Sequence, residues 1–457
     1  MSDATDEIRM VANGMVGNGF SWRGFQNALA RKPHMIGCDA GTSDYGAGPL
    51  GSGISTKPEQ SVRRDLEIML QGARQLKIPL IIGSCGIAGA APQVDTVARI
   101  VKEIASEHGM HFRIALIYSD QDKEVLKTAL AQGQIQSLGP VPALTAEAID
   151  ASSNIVAMAG AQPFIDALDG GADVILAGRC TDPAIYAAVP LRAGLPPGPV
   201  WHAARSVDKG NLATTEVSEG SPVMVSVTRE GFIIEPTKEG SHCTVKSVSS
   251  LTMYENPDPW SVYQPAGAIT TQFATFEQLD DRRVRVTGSR FTPAEYHTVK
   301  LEGARPVGYR YAFLVGIRDP RLIANMDDFL ARWRALFERT ARSLGIAGDA
   351  WHLKFRVYGR DAVMGDREPL RMQPSHEVGL LIDVVADREE DAQALVTRGS
   401  SIGAKLDPVP GIPAGGNFAA PFSPNFIRMG ETYEWSVWHL MTVKNERDPF
   451  RIEYVDI

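Results

Sequence analysis

At 457 residues with a net charge of −8, the chain is too long for one ordinary core and carries no basic stripe, so two domains are expected and a nucleic-acid partner is disfavoured. Its make-up, 44% hydrophobic and 22% charged, is that of a folded globular protein, and no apolar run approaches the roughly 18 residues of a membrane span. The opening Met1 to Glu7 is polar and acidic, unlike a signal peptide, which points to the cytoplasm.

In chain order, five short apolar runs each end in a small or polar cluster. They are Met35–Cys38 into Asp39, Ile78–Ile82 into Gly83-Ser84-Cys85-Gly86, Phe112–Ile117 into Tyr118-Ser119-Asp120, Ile155–Met158 into Ala159-Gly160, and Asp173–Leu176 into Ala177-Gly178-Arg179. Amphipathic segments separate them. Glu59–Gln75 stripes Val62, Leu66, Met69, Leu70 and Ala73 on one face, and Val94–His108 does the same with Val97, Ile100, Val101 and Ile104. Shorter helices are expected over Asp122–Gln132 and Gln162–Leu168, and another after Asp182, where Pro183 suits the first turn. This alternation predicts an α/β fold: a parallel, Rossmann-like α/β/α domain over residues 1–215, closed by the Pro- and Gly-rich Leu191–Pro199. From 216 to 457 the texture changes to an α+β domain completing the site. Strands are expected at Val223–Thr228, Val284–Thr287, Gly308–Ile317, Leu353–Tyr358 and Glu377–Ala386, with helices near Met326–Leu344 and Asp391–Ser400.

In parallel sheets, ligands bind outside the carboxyl ends of the strands. There the chain places Asp39–Gly53 (DAGTSDYGAGPLGSG), whose glycines permit close backbone approach and an anion nest. Gly41, Thr42 and Ser43 are expected to contact substrate. Asp39 and Asp44 are candidates for a general base, a hydroxyl clamp or ligands to a Mg-type ion. The stretch is neither G-x-G-x-x-G nor a P-loop, so no NAD or nucleotide site follows. Ser84, Cys85, Gly86 and Ser119 line the next two strand ends. Arg179 and Asp182 in GRCTDP suggest a carboxylate grip, or an ion pair that shapes the turn. Downstream, His242, Lys300 and Asn417 are further candidates, with Glu302 and Arg310 near strand ends. The four cysteines are scattered, which disfavours a disulfide framework; a reactive Cys85 is one reading and a small buried thiol the other.

At these loops the chain resembles the acyclic terpene utilisation AtuA family, formerly a family of unknown function. The similar stretches run nearly the whole length: DAGTSDYGAGPLGSG, VRRDLEIMLQGARQLKIPLIIGSCGIAG, GADVILAGRCTDPAIYA, EGSHCTVKSVSSLTMYENPDP, HTVKLEGARPVGYRYAFLVGIRDPRLIANMD, RVYGRDAVMG and GNFAAPFSPNFIRMGETYEWSVWHLM. One departure is Ser400–Pro413, which lacks the Leu- and His-containing text expected in relatives. The resemblance implies catabolism of an organic acid or its CoA thioester, often beside a small partner protein, and carries no settled catalytic set.

Three functional readings follow. The leading one is a lyase, specifically a hydro-lyase on a small hydroxy acid or its CoA thioester, with Asp39 or Asp44 moving the α-proton and His242 or Lys300 as partner acid. The second is a ligand-binding or scaffolding subunit active only with a small partner protein. The third is a hydrolase using Ser84 or Cys85. A homo-oligomer is expected in each case.

Overall fold

The computed structural model describes residues 6–215, 220–256, 258–413 and 417–457. The chain forms two compact units, one comprising residues 1–305 and 435–457, the other Pro306–Glu434. The division differs from the one that sequence texture suggests at 215/216. Its boundaries fall inside the strands His297–Ile317 and Phe426–Val443, where no linker composition marks them.

The first unit is built on a 10-stranded sheet. Five parallel strands form its centre in the order Glu7–Met15, Met35–Gly41, Leu80–Ile87, Val174–Ala177, Arg113–Tyr118. Antiparallel strands extend both sides: Val223–Thr228 pairs with the first, and Arg451–Asp456 with the last. Val223–Thr228 and Val284–Thr287, expected in the second domain, therefore belong to this sheet, joined by Gly231–Pro236, a strand not expected from the sequence.

Two strand assignments change. The run at Ile155–Met158 does form a strand, Asn154–Ala157, but it pairs antiparallel with Leu301–Ala304 and lies outside the parallel set. Its place is taken by Glu7–Met15 (EIRMVANGM), whose Arg9, Asn13 and Gly14 break the apolar continuity that signals a doubly buried strand.

Helices Glu59–Leu76 and Ala91–Glu107 cover one face, burying Leu66, Met69, Leu70, Val97 and Val101 against Ile36, Ile82 and Leu116. Helices Gln162–Asp169, Asp182–Arg192 and Pro197–Asp208 cover the other with Phe164, Tyr186 and Trp201. Pro183 occupies the first turn of Asp182–Arg192 as expected, and Pro183–Ala188 are all buried, as in a helix enclosed on every side. Its close seat explains Gly37: a Cβ there would lie 2.4 Å from Tyr186 Cε1.

In the second unit Tyr309–Ile317 pairs antiparallel with Val378–Ala386, which pairs with Trp351–Tyr358. Helices Met326–Ser343 and Glu389–Gly403 bury Phe329, Trp333, Phe337 and Leu395. The indole Nε1 of Trp333 donates to the Gly399 carbonyl at 2.8 Å, so this large core side chain leaves no polar atom unmet. No helix among the described residues is long and apolar enough to cross a membrane.

Candidate functional site

Because Val174–Ala177 inserts between Leu80–Ile87 and Arg113–Tyr118, residues distant in sequence become neighbours at the carboxyl ends of the parallel strands. Gly41 marks one close approach. A Cβ there would meet Ile87 O at 2.3 Å and Ser84 Cβ at 2.5 Å. The facing turn is strained: Ser84 has φ 49° and the β-branched Ile87 has φ 92°, conformations costing on the order of 1–3 kcal/mol each. The turn brings the Ser84 hydroxyl to 3.3 Å from both Arg179 Nη1 and the Cys180 amide.

Arg179 is 6% exposed and is held by a carboxylate from far along the chain. Its Nε donates to Glu302 Oε2 at 2.9 Å and its Nη2 to Oε1 at 3.4 Å. Lys300 Nζ donates to the same Oε1 at 2.7 Å and sits 3.4 Å above the centre of the Trp438 ring. Two cations thus share one carboxylate. Burial opposes ionisation of Glu302, yet Arg179 and Lys300 outweigh it and hold its carboxyl below the ordinary range. Lys300 goes the other way: burial lowers its pKa more than Glu302 restores it.

A second group adjoins the first. Asp182, half-buried at the helix start, pairs with Lys209 at 3.1 Å rather than with Arg179, and Lys209 also binds Asp208 at 3.0 Å. Burial pushes the Asp208 carboxyl up to about 7, with Asp182 adding to the shift and Lys209 opposing it. Asp39, 4% exposed, is raised well above the usual carboxylate range by burial and then by Asp182 and Asp208. Arg179 feels both Asp182 and Asp39, which joins the two groups into one strand-end cluster. Its acid end favours bound protons and its basic end a loosened lysine proton.

The other sequence candidates have more local roles. Gly41 N donates to Asp39 Oδ1, Thr42 N to Ile87 O and Asp44 N to Thr42 Oγ1, so these amides of the glycine-rich loop are used within the protein. Ser43 is half-buried and Asp44 is exposed. Among the described residues no three His, Cys, Asp or Glu side chains are placed to hold a metal. The Ser119 hydroxyl is buried and donates to the Arg179 carbonyl at 2.9 Å, which fixes the turn. Gly86 is half-buried at the end of Leu80–Ile87. Burial pushes the Cys85 thiol up well beyond its ordinary value and Cys180 to about 12, so both are neutral thiols near pH 7. The half-buried His242 ring engages the Asp281 carbonyl at 2.7 Å, a loop-bracing contact. Arg310 and Asn417 belong to the second unit; Arg310 pairs with Asp383 at 3.1 Å, and Asn417 precedes the short strand Phe418–Ala419. Of the Ala414–Asn425 loop, residues 414–416 lie outside the described ones.

Lys209, Asp208 and Trp438 carried no sequence signal. The charged dipeptide Asp208-Lys209 ends a helix, where such residues ordinarily face solvent.

A family model described as acyclic terpene utilisation family protein AtuA matches residues 55–191 and 213–425. No curated protein and no solved structure matches the chain.

Proposed function

The chain belongs to the acyclic terpene utilisation AtuA family, whose description indicates a catabolic role, and on that premise we propose that it is a lyase of the hydro-lyase type, acting on a small hydroxy acid or its CoA thioester. One observation carries the reading: a lysine whose pKa is lowered and a carboxyl whose pKa is raised share one strand-end cluster around a buried arginine. Environments that push two titratable groups apart in this way assign base and acid.

Lys300, whose ammonium burial destabilises, takes the α-proton in its deprotonated form. Asp39, as the neutral acid, gives its proton to the departing hydroxyl, which leaves as water as the carbon–carbon double bond forms. The roles are thus divided between Asp39 and Lys300 in the opposite sense from the sequence expectation, because burial favours the protonated carboxyl. Once Lys300 has taken the proton, two cations flank the single Glu302 carboxylate and leave a surplus positive charge for the enolate oxygen. Ser84 braces Arg179, in place of a nucleophile's role.

The test is turnover of a panel of 2- and 3-hydroxy acids and their thioesters, followed by the appearance of the conjugated product. Lys300→Met and Asp39→Asn should each lower kcat by about 100-fold or more with the fold intact. Undiminished turnover in Lys300→Met would refute the assignment, and so would inertness of the purified chain across the panel. Near-complete burial of Arg179 and Asp39 supports the second reading, a subunit completed by a small partner protein. Turnover that appears only with a co-purified partner is its mark.

A further inference from the structure

A cavity of about 420 Å³ opens at the carboxyl edge of the sheet beneath helices Glu59–Leu76 and Ala91–Glu107. That is the size of a small-molecule pocket. Its walls are Val16, Ala40, Val62, Ile82, Val97 and Ile100, all buried core residues. The face of the sheet they occupy is the one opposite Tyr186 and Trp201.

The polar groups around this cavity have partners within the protein. Gln93 spends its carbonyl on the Ala88 and Ala90 amides and its amide on the Pro49 carbonyl. Thr96 donates to Pro92 O, Ser52 donates to Gly48 O, and Ser55 accepts from the Lys57 amide. Glu59 is matched by Arg99 at 2.6 Å. Lys57 differs: its ammonium donates to neutral oxygens, Asn18 Oδ1 and Tyr45 Oη, and lies over the Tyr45 ring. The cavity therefore offers apolar surface and one cation at its rim. Walls that are mainly aliphatic hold water poorly, whereas methylenes gain from each of them.

We propose that this cavity binds an unbranched or lightly branched aliphatic carboxylate, with its chain among Val62, Ile82, Val97 and Ile100 and its carboxylate on Lys57. A cavity of 150 Å³ suffices for benzene, so about 420 Å³ admits a chain of roughly ten carbons. The site is separate from the Arg179–Glu302 cluster and does not depend on the lyase reading.

The experiment is equilibrium binding of butyrate, hexanoate, octanoate and decanoate, with decan-1-ol as the uncharged probe, to the full chain by calorimetry. Affinity should rise about fourfold per added methylene until the cavity is filled, with one saturable site. Val97→Trp, which fills the cavity, should abolish binding without lowering the melting temperature by more than a few degrees. Lys57→Ala should weaken decanoate several-fold and leave decan-1-ol unchanged. Non-saturable uptake, chain-length independence or undiminished binding in a folded Val97→Trp would overturn the proposal. Should that variant not fold, a diazirine-bearing decanoate on the unaltered protein decides: label within 52–62 or 92–100 supports the site, and label confined elsewhere refutes it.

Discussion

Glu302→Gln tests the cluster most directly, because it keeps the shape of the side chain and removes the charge that Arg179 and Lys300 share. Arg179 is 6% exposed and Glu302 2% exposed, so neither can turn to water when its partner is lost. Removing one member of a buried pair costs about 3–5 kcal/mol, most of it from the charge left behind. Lys300 retains access to solvent and the Trp438 face, and adds little to that figure. For a unit of about 330 residues, unfolding entropy near 2.1 cal/mol/K per residue converts the loss into a fall of roughly 4–7 °C in the melting temperature. Calorimetry, with urea unfolding as a second probe, measures it. Replacing both partners, Arg179→Leu with Glu302→Leu, should recover most of the loss because no buried charge remains. A Glu302→Gln protein within about 1 kcal/mol of the parent, or a double variant no better than the single one, would show that Arg179 does not depend on this carboxylate.

Asp208 sets a pH dependence whose sign is opposite to that of a salt-bridged carboxylate. Its folded pKa of about 7 lies above the unfolded value near 3.9, so the folded state holds the extra proton. Its contribution is present at low pH and is lost as pH rises through about 7. The urea midpoint of Asp208→Asn should vary less between pH 4 and 8 than the parent's; parallel curves would contradict the assignment. Gly41→Ala should cost about 1–3 kcal/mol in urea unfolding, since its Cβ would meet Ile87 O at 2.3 Å; a neutral result would mean the two strand ends separate easily. All four cysteines are buried, so iodoacetamide at pH 8 should label them only in denaturant. Rapid labelling of Cys85 in the native protein would revive a thiol nucleophile.

The features legible in the sequence were those encoded locally. The stripe of Val62, Leu66, Met69 and Leu70 marked a helix within one residue of its end, because the period of 3.6 survives in any environment. Strand ends at Asp39, Ser84 and Arg179 were legible for the same reason, and the structure brings them together. What a strand pairs with is not local. Ile155–Met158 reads as a parallel strand, yet its partner, Leu301–Ala304, lies far along the chain. The partner of Arg179 was ambiguous in the same way. Asp182 is near in sequence, but Lys209 satisfies it, and Glu302 supplies the counter-charge across 123 positions. The unit boundaries were hidden because they interrupt strands, where composition does not change.

The order of strands in the central sheet also has a consequence for the ribosome-bound chain. The outermost parallel strand, Arg113–Tyr118, is covered only when Arg451–Asp456 pairs with it. At elongation rates of about 5–20 residues per second, the two are made some tens of seconds apart. Throughout that interval Ile114, Ala115, Leu116 and Ile117 present a row of unpaired amides and carbonyls to neighbouring nascent chains on the same message. The last strand thus acts as a closing seal. A chain cut short before Arg451 would leave a permanently sticky sheet edge, and its fate would be decided by chaperones and proteases, even with every residue of the strand-end cluster already made.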